Sequence, residues 1–196
     1  MNPRRYRYST IASLLAGLGI FGLIVCLLMP PAPPSIPIGG PFTLTDGARQ
    51  TVTDRDYRGK FMLVYFGYTN CPDICPTTLY TIAKALPLMG KQADLIQPLF
   101  ITVDPVRDTP AVVGRYVALF SPRIVGLSGN ASELQRVEQE YHVYVGPEDL
   151  KTGAINHGAM LYLMGKNGEL LNGLPDDVTS AVLAAELTKV VAQYQS

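Results

Sequence analysis

Phe61–Tyr68, FMLVYFGY, is a continuous apolar run with no polar alternation. A strand with one wet face alternates. This one does not, so it must be covered on both sides, as strands are in a sheet with helices above and below. Residues 77–90 follow with helical apolar spacing at Leu79, Ile82, Ala83 and Leu86. Leu99–Val103 is a second short buried strand, and Thr109-Pro110 supplies a cap and first-turn proline for a helix to about Phe120. A strand at Ile124–Leu127 precedes a helix to about Glu140, opened by a capping-box pattern at Ser132 and Gln135. Two hairpins are expected: Phe42–Thr45 with Gln50–Thr53 around Asp46-Gly47, and Ala159–Met164 with Glu169–Gly173 around Asn167-Gly168. Val178–Tyr194 closes the chain as a helix. This order is an α/β plan with a mixed sheet.

Ahead of that domain, Ile11–Met29 runs 19 residues without a charge. As a helix it spans roughly 28 Å, close to the hydrocarbon thickness of a bilayer. Arg4, Arg5 and Arg7 precede the run, and the next charge is Asp46. That asymmetry predicts a cytoplasmic N-terminus and a body on the periplasmic or extracytoplasmic side. A cleaved signal peptide fits less well, because no small-x-small site follows the run. Cys26 is read as a lipid-facing or packing residue. Residues 30–41 hold six prolines in twelve positions, an extended spacer reaching on the order of 35 Å. The expected organisation is an arginine-rich start and membrane anchor over 1–29, a spacer over 30–41 and one domain over 42–196. Without the three leading arginines, 13 basic residues face 16 acidic ones, and no basic stripe offers itself to nucleic acid.

Cys71 and Cys75 stand in GYTNCPDICP, between the expected strand and helix. A helix N-terminus favours a thiolate there. If the segment is helical, four residues bring both sulfurs to one face, able to close a disulfide or to hold a soft metal ion. Two reduced core cysteines are a poorer fit to an oxidising compartment. A closed zinc site would need more ligands than the sequence offers. A standard thioredoxin has two residues between its cysteines, not three. Of the two histidines, His142 reads as a surface or packing residue. His157, at the start of an apolar strand beside Gly158, is able to lean over a neighbouring turn. Two thiolates and an imidazole suit copper in either oxidation state. Asp104, after the second buried strand, is expected near the cysteine turn, either orienting His157 or fixing its own turn; Asp108 is expected to cap the next helix, and Arg107 to pair with these carboxylates.

The segments YFGYTNCPDICP (65–76) and VDPVRDTP (103–110), with the distant His157 before an apolar strand, resemble the Sco/SenC family. These are anchored, thioredoxin-like proteins associated with copper delivery to cytochrome c oxidase. The resemblance implies a thioredoxin-like mixed sheet flanked by helices, with an N-terminal hairpin and a transmembrane helix. It assigns Cys71, Cys75 and His157 as ligands of one copper ion per chain, Cu(I) or Cu(II), and Asp104 as a nearby carboxylate. Asn70 stands where many members carry His, and Asn156 where Asp is usual. The expected role is a metallochaperone for the binuclear copper centre of oxidase subunit II, with another copper chaperone or a thioredoxin-like reductant as a further partner. The alternative is a thiol–disulfide oxidoreductase in which Cys71 and Cys75 cycle through a disulfide and reduce that subunit's copper-ligand cysteines.

Overall fold

The computed structural model describes residues 37–194. The expected membrane helix and most of the spacer fall outside that range. Among the described residues no helix is long and apolar enough to cross a membrane.

A hairpin of β1 (Thr43–Asp46) and β2 (Thr51–Thr53) opens the domain, followed by β3 (Phe61–Gly67), α1 (Ile74–Leu88) and β4 (Ile96–Thr102). Next come α2 (Pro110–Ala118), β5 (Val125–Ser128) and α3 (Ala131–Glu140). The chain ends with β6 (Val145–Glu148), β7 (Ile155–His157), β8 (Met160–Met164), β9 (Leu170–Pro175) and α4 (Ser180–Tyr194). Seven strands form one sheet in the order β2-β1-β5-β4-β3-β8-β9, and β6 and β7 pair separately. β3, β4 and β5 are parallel, and the outer pairings are antiparallel. Parallel neighbours need a crossover, supplied by α1 and α2. The result is a thioredoxin-like mixed sheet flanked by helices.

β3 is buried along its whole length, as its unbroken apolar run requires. On one face the Tyr65 and Phe100 rings pack tilted with centroids 6.0 Å apart, and Phe100 meets Tyr116 of α2. On the other, Phe66 packs against Tyr141, at the end of α3, and Tyr162. α1 packs on α4. Register decides where the site lies. Gly67 at the end of β3 pairs with Thr102 at the end of β4, while antiparallel β8 starts at the same edge, with Leu161 opposite Tyr65. The loops after β3 and β4 and the segment before β8 therefore meet at one edge, the usual place for a site in such sheets.

Three local expectations need correction. The capping box of α3 is built by Asn130 and Glu133, each side chain accepting the other's backbone N–H, so the helix starts earlier than the Ser132–Gln135 pattern predicts. Asn and Ser cap about equally well, and Asn130 is the one that sits where the chain is still extended. Thr109 is the residue before α2 but its hydroxyl makes no cap bond; Pro110 alone supplies the helix-starting geometry. The β6–β7 pair has no counterpart among the expected strands, because Gly146-Pro147 interrupts any alternation in the sequence.

Candidate functional site

Helix α1 begins at Ile74, so Cys71 lies outside it, in the turn, and Cys75 in its first turn. The four-residue spacing is thus not one helical turn. Pro72 and the non-helical Asp73 intervene, and the two sulfurs approach by a different route. The Cys71 N–H donates to the Tyr68 carbonyl, folding the loop back, and Cys71 Sγ accepts the Cys75 backbone N–H at 3.4 Å. The first sulfur thereby satisfies one of the free amides of the helix N-terminus. Both thiols are free. Cys71 is half-buried and Cys75 fully buried.

Burial pushes the Cys75 thiol up to about 12, although hydrogen bonds from the Tyr68 backbone and the Tyr65 hydroxyl act the other way. At neutral pH it keeps its proton until something positively charged replaces it. The Tyr65 hydroxyl donates to Cys75 Sγ at 3.7 Å. Room for that sulfur exists only because residue 67 is glycine: a Cβ there would come within 2.8 Å of both Cys75 Sγ and the Phe100 ring. An isolated glycine in an otherwise apolar strand is the sequence signal of such a close approach.

His157, at the end of β7, brings Nε2 to 3.9 Å from Cys75 Sγ across 82 residues of chain. Its Nδ1 lies 3.0 Å from the Gly158 carbonyl. A carbonyl can only accept, so that bond puts the ring proton on Nδ1 and turns the free lone pair of Nε2 toward the sulfur. With metal–sulfur and metal–nitrogen bonds of about 2.3 and 2.0 Å, a tetrahedral or trigonal ion separates two such donors by roughly 3.5–3.8 Å. The observed spacing is close to that range. Among the described residues no three His, Cys, Asp or Glu side chains are closed around a common centre. A cleft of about 290 Å³, lined by Tyr68, Cys71, Pro72, Ile74, Ile155 and His157, opens beside them.

Asp104 is buried at the same edge, but its carboxylate is taken by Arg107 three residues on, through both the Arg107 Nε and its backbone N–H. His157 is oriented instead by Gly158. Asp104 reaches it only indirectly, because the Arg107 guanidinium lies over the Tyr68 ring at 5.9 Å and Tyr68 meets His157 edge-on at 5.8 Å. The Tyr68 hydroxyl also accepts the Ile155 backbone N–H at 3.2 Å. Asp108 does not cap α2. Fully buried, it accepts from the Thr69 N–H at 2.9 Å, the Thr69 hydroxyl and the Thr102 hydroxyl at 2.6 Å. It clamps the cysteine loop to the end of β4. Tyr65, Tyr68 and Asp108 lie within the two motif segments, but nothing in those segments announces their contacts, and the register of β3 with β4 is what brings Asp108 to the cysteine loop. His142 is exposed, in a left-handed turn after α3 with φ of 53°.

The SCO1/SenC family model matches residues 31–192. The human mitochondrial SCO1 homolog is 35% identical over 163 residues, covering 81% of this chain and 54% of that protein. The SCO2-like protein of Rickettsia prowazekii is 34% identical over 183 residues, covering 87% and 89%. Against the human and mouse SCO1 homologs the chain spans about half of the relative's length, 54% and 55%. Among solved structures, copper-bound ScoI of Bradyrhizobium japonicum aligns with a TM-score of 0.71 at 43% identity, covering 78% of this chain and 98% of that one. Copper-bound yeast Sco1 aligns with a TM-score of 0.74 at 36% identity, covering 81% and 90%. By the extent of the family match and by these relatives, the chain belongs to the SCO1/SenC family.

Proposed function

We propose that this chain binds one copper ion, Cu(I) or Cu(II), through Cys71, Cys75 and His157 and passes it on during cytochrome c oxidase assembly, to the binuclear copper centre of subunit II. The observation that carries this reading is the 3.9 Å approach of His157 Nε2 to Cys75 Sγ, with Cys71 Sγ on the adjoining helix N-terminus. Two sulfurs and one imidazole suit copper in both oxidation states. Capture displaces the thiol protons, and the raised proton affinity of Cys75 makes it the step most sensitive to pH. The cleft beside the ligands leaves one side of the ion open, so a partner's cysteine or histidine replaces them stepwise. Copper here is cargo, and an open three-ligand shell releases it where a closed one would not. The copper-bound relatives from Bradyrhizobium and yeast support this choice of metal.

In the same proposal residues 1–29 anchor the chain in the cytoplasmic membrane as a single span, residues 30–41 hold the domain off its surface, and residues 42–196 work on the extracytoplasmic side.

A second reading is favoured by the unequal exposure of the cysteines. A half-buried Cys71 at a helix N-terminus is placed to attack a disulfide of the partner, and buried Cys75 to resolve the mixed disulfide. In that reaction the partner's disulfide gains two electrons while the pair here is oxidised to a disulfide. Expression of His157→Ala, Cys71→Ser and Cys75→Ser variants in a deletion strain separates the two. Metal delivery predicts that all three lose oxidase assembly; thiol exchange predicts that only the cysteine variants do.

A further inference from the structure

The strands β6 and β7 pair only with each other and join no edge of the seven-stranded sheet. A lone hairpin is marginal in water, so contacts with the body must hold it. Val145 and Ile155 pack against the hydrophobic core, and one side chain joins the polar contacts. Arg107 engages Asp104, in its own loop, through Nε, and Glu148 of β6 through Nη1 at 2.9 Å. Its guanidinium lies over the Tyr68 ring, whose hydroxyl receives the Ile155 N–H of β7. Gly153, with φ of +70°, brings the hairpin turn so close that a Cβ there would lie 2.9 Å from Arg107 Nη1. Register then transmits the hold: Glu148 stands opposite Ile155, and Val145 opposite His157.

We propose that Arg107 is a positioning residue that fastens the β6–β7 hairpin to the loop after β4 and so holds His157 beside the cysteines. The forked guanidinium binds two carboxylates from different segments at once while sitting over the Tyr68 ring. A lysine at 107 provides one point charge and cannot do all three. The positioning role stands on contacts within the metal-free protein; its consequence for ligation rests on the copper-binding reading above.

Two measurements on the full chain keep these apart. Hydrogen–deuterium exchange of the metal-free protein, read by mass spectrometry on peptides covering 144–158 and on β3 and β4 peptides as internal reference, tests the fastening. Arg107→Met is expected to speed exchange in 144–158 about tenfold or more, Glu148→Ala about threefold, and Arg107→Lys nearly as much as Arg107→Met, with β3 and β4 unchanged. Glu148→Ala leaves the Asp104–Arg107 pair intact, so it stays informative should Arg107→Met lose its fold. Unchanged 144–158 exchange in Glu148→Ala together with either no change or uniform deprotection in Arg107→Met overturns the proposal. The second measurement is the nitrogen hyperfine signal of added Cu(II), expected to weaken in Arg107→Met as in His157→Ala. A full nitrogen signal in an Arg107→Met protein with a loosened hairpin overturns the link to ligation and leaves the fastening standing. Absence of copper binding in the unsubstituted chain fails the copper reading, and the exchange rates alone then decide for or against the fastening by Arg107.

Discussion

Asp108 offers a sharp test of how the fold holds the cysteine loop. Asp108→Ala strands three donors at once: the Thr69 N–H, the Thr69 hydroxyl and the Thr102 hydroxyl. Thr102 is fully buried and has no route to water, whereas Thr69 is partly exposed and recovers some hydration. Hydrogen bonds to a charged acceptor contribute about 1.5–3 kcal/mol each, and a donor left buried costs about 1–3 kcal/mol. Counting the two Thr69 bonds at a discount gives a net loss of about 3–5 kcal/mol. For a domain of this size that lowers Tm by about 10 °C. Asp108→Asn keeps the shape and one carbonyl oxygen, and the hydroxyls rotate to suit the new amide, so less than half of that loss is expected. Thermal melting and urea titration of both variants check the magnitudes, with an unchanged urea m-value showing that the two-state transition survives. A Tm for Asp108→Ala within about 2 °C of the unsubstituted protein, or equal losses for Ala and Asn, would refute the clamp.

Two more outcomes follow from the same geometry. Gly67→Ala pushes a methyl group against Cys75 Sγ and the Phe100 ring; overpacking of about 1–3 kcal/mol is expected, and because one of the crowded atoms is a proposed ligand, copper occupancy should fall along with Tm, whereas a stable variant that binds copper normally would contradict the assigned contact. On the alkaline side, burial raises Cys75 and Tyr57 to about 12 and lifts Tyr65, Tyr116, Tyr141 and Tyr162 as well. The unfolded chain ionises first, so stability is complete below about pH 9 and is lost as pH rises toward about 12. Cys75 contributes a slope of up to about 1.4 kcal/mol per pH unit, which Cys75→Ala removes. Urea midpoints measured from about pH 8 to 11 test this, and a flat profile would show that the native thiol is not held protonated.

The parts of the fold dictated by short-range pattern are legible in the sequence: β3 from its uninterrupted apolar run, the second half of β4 from Leu99–Ile101 while Gln97-Pro98 conceals its start, α4 from its spacing, and the outer hairpins from Asp46-Gly47 and Asn167-Gly168. Cap details are not, since Asn130 and Ser132 are both good caps and only the backbone at 130 decides between them. Residue type and position at strand ends bring Cys71, Cys75 and His157 forward as candidates, and the family resemblance is what makes them the proposed ligand set. Their surroundings are not legible, because they depend on competition between partners. The sequence leaves Asp104 open between orienting His157 and pairing with Arg107 in its own turn, and the structure gives it to Arg107. The same holds for Asp108, which looks like a helix cap but finds stronger donors in Thr69 and Thr102 across the sheet edge. The hairpin that carries His157 has no periodicity to read, and its place comes from long-range contacts through Tyr68 and Arg107.

In the proposed site three side chains, two from one turn and one from a distant hairpin, converge on a single soft metal ion. Copper titration of the reduced full chain, with paramagnetic resonance of the Cu(II) form, tests this directly. One ion per chain, with mixed sulfur and nitrogen ligation whose nitrogen signal vanishes in His157→Ala, is the predicted result. No binding, or binding with a spectrum that His157→Ala leaves unchanged, would contradict it.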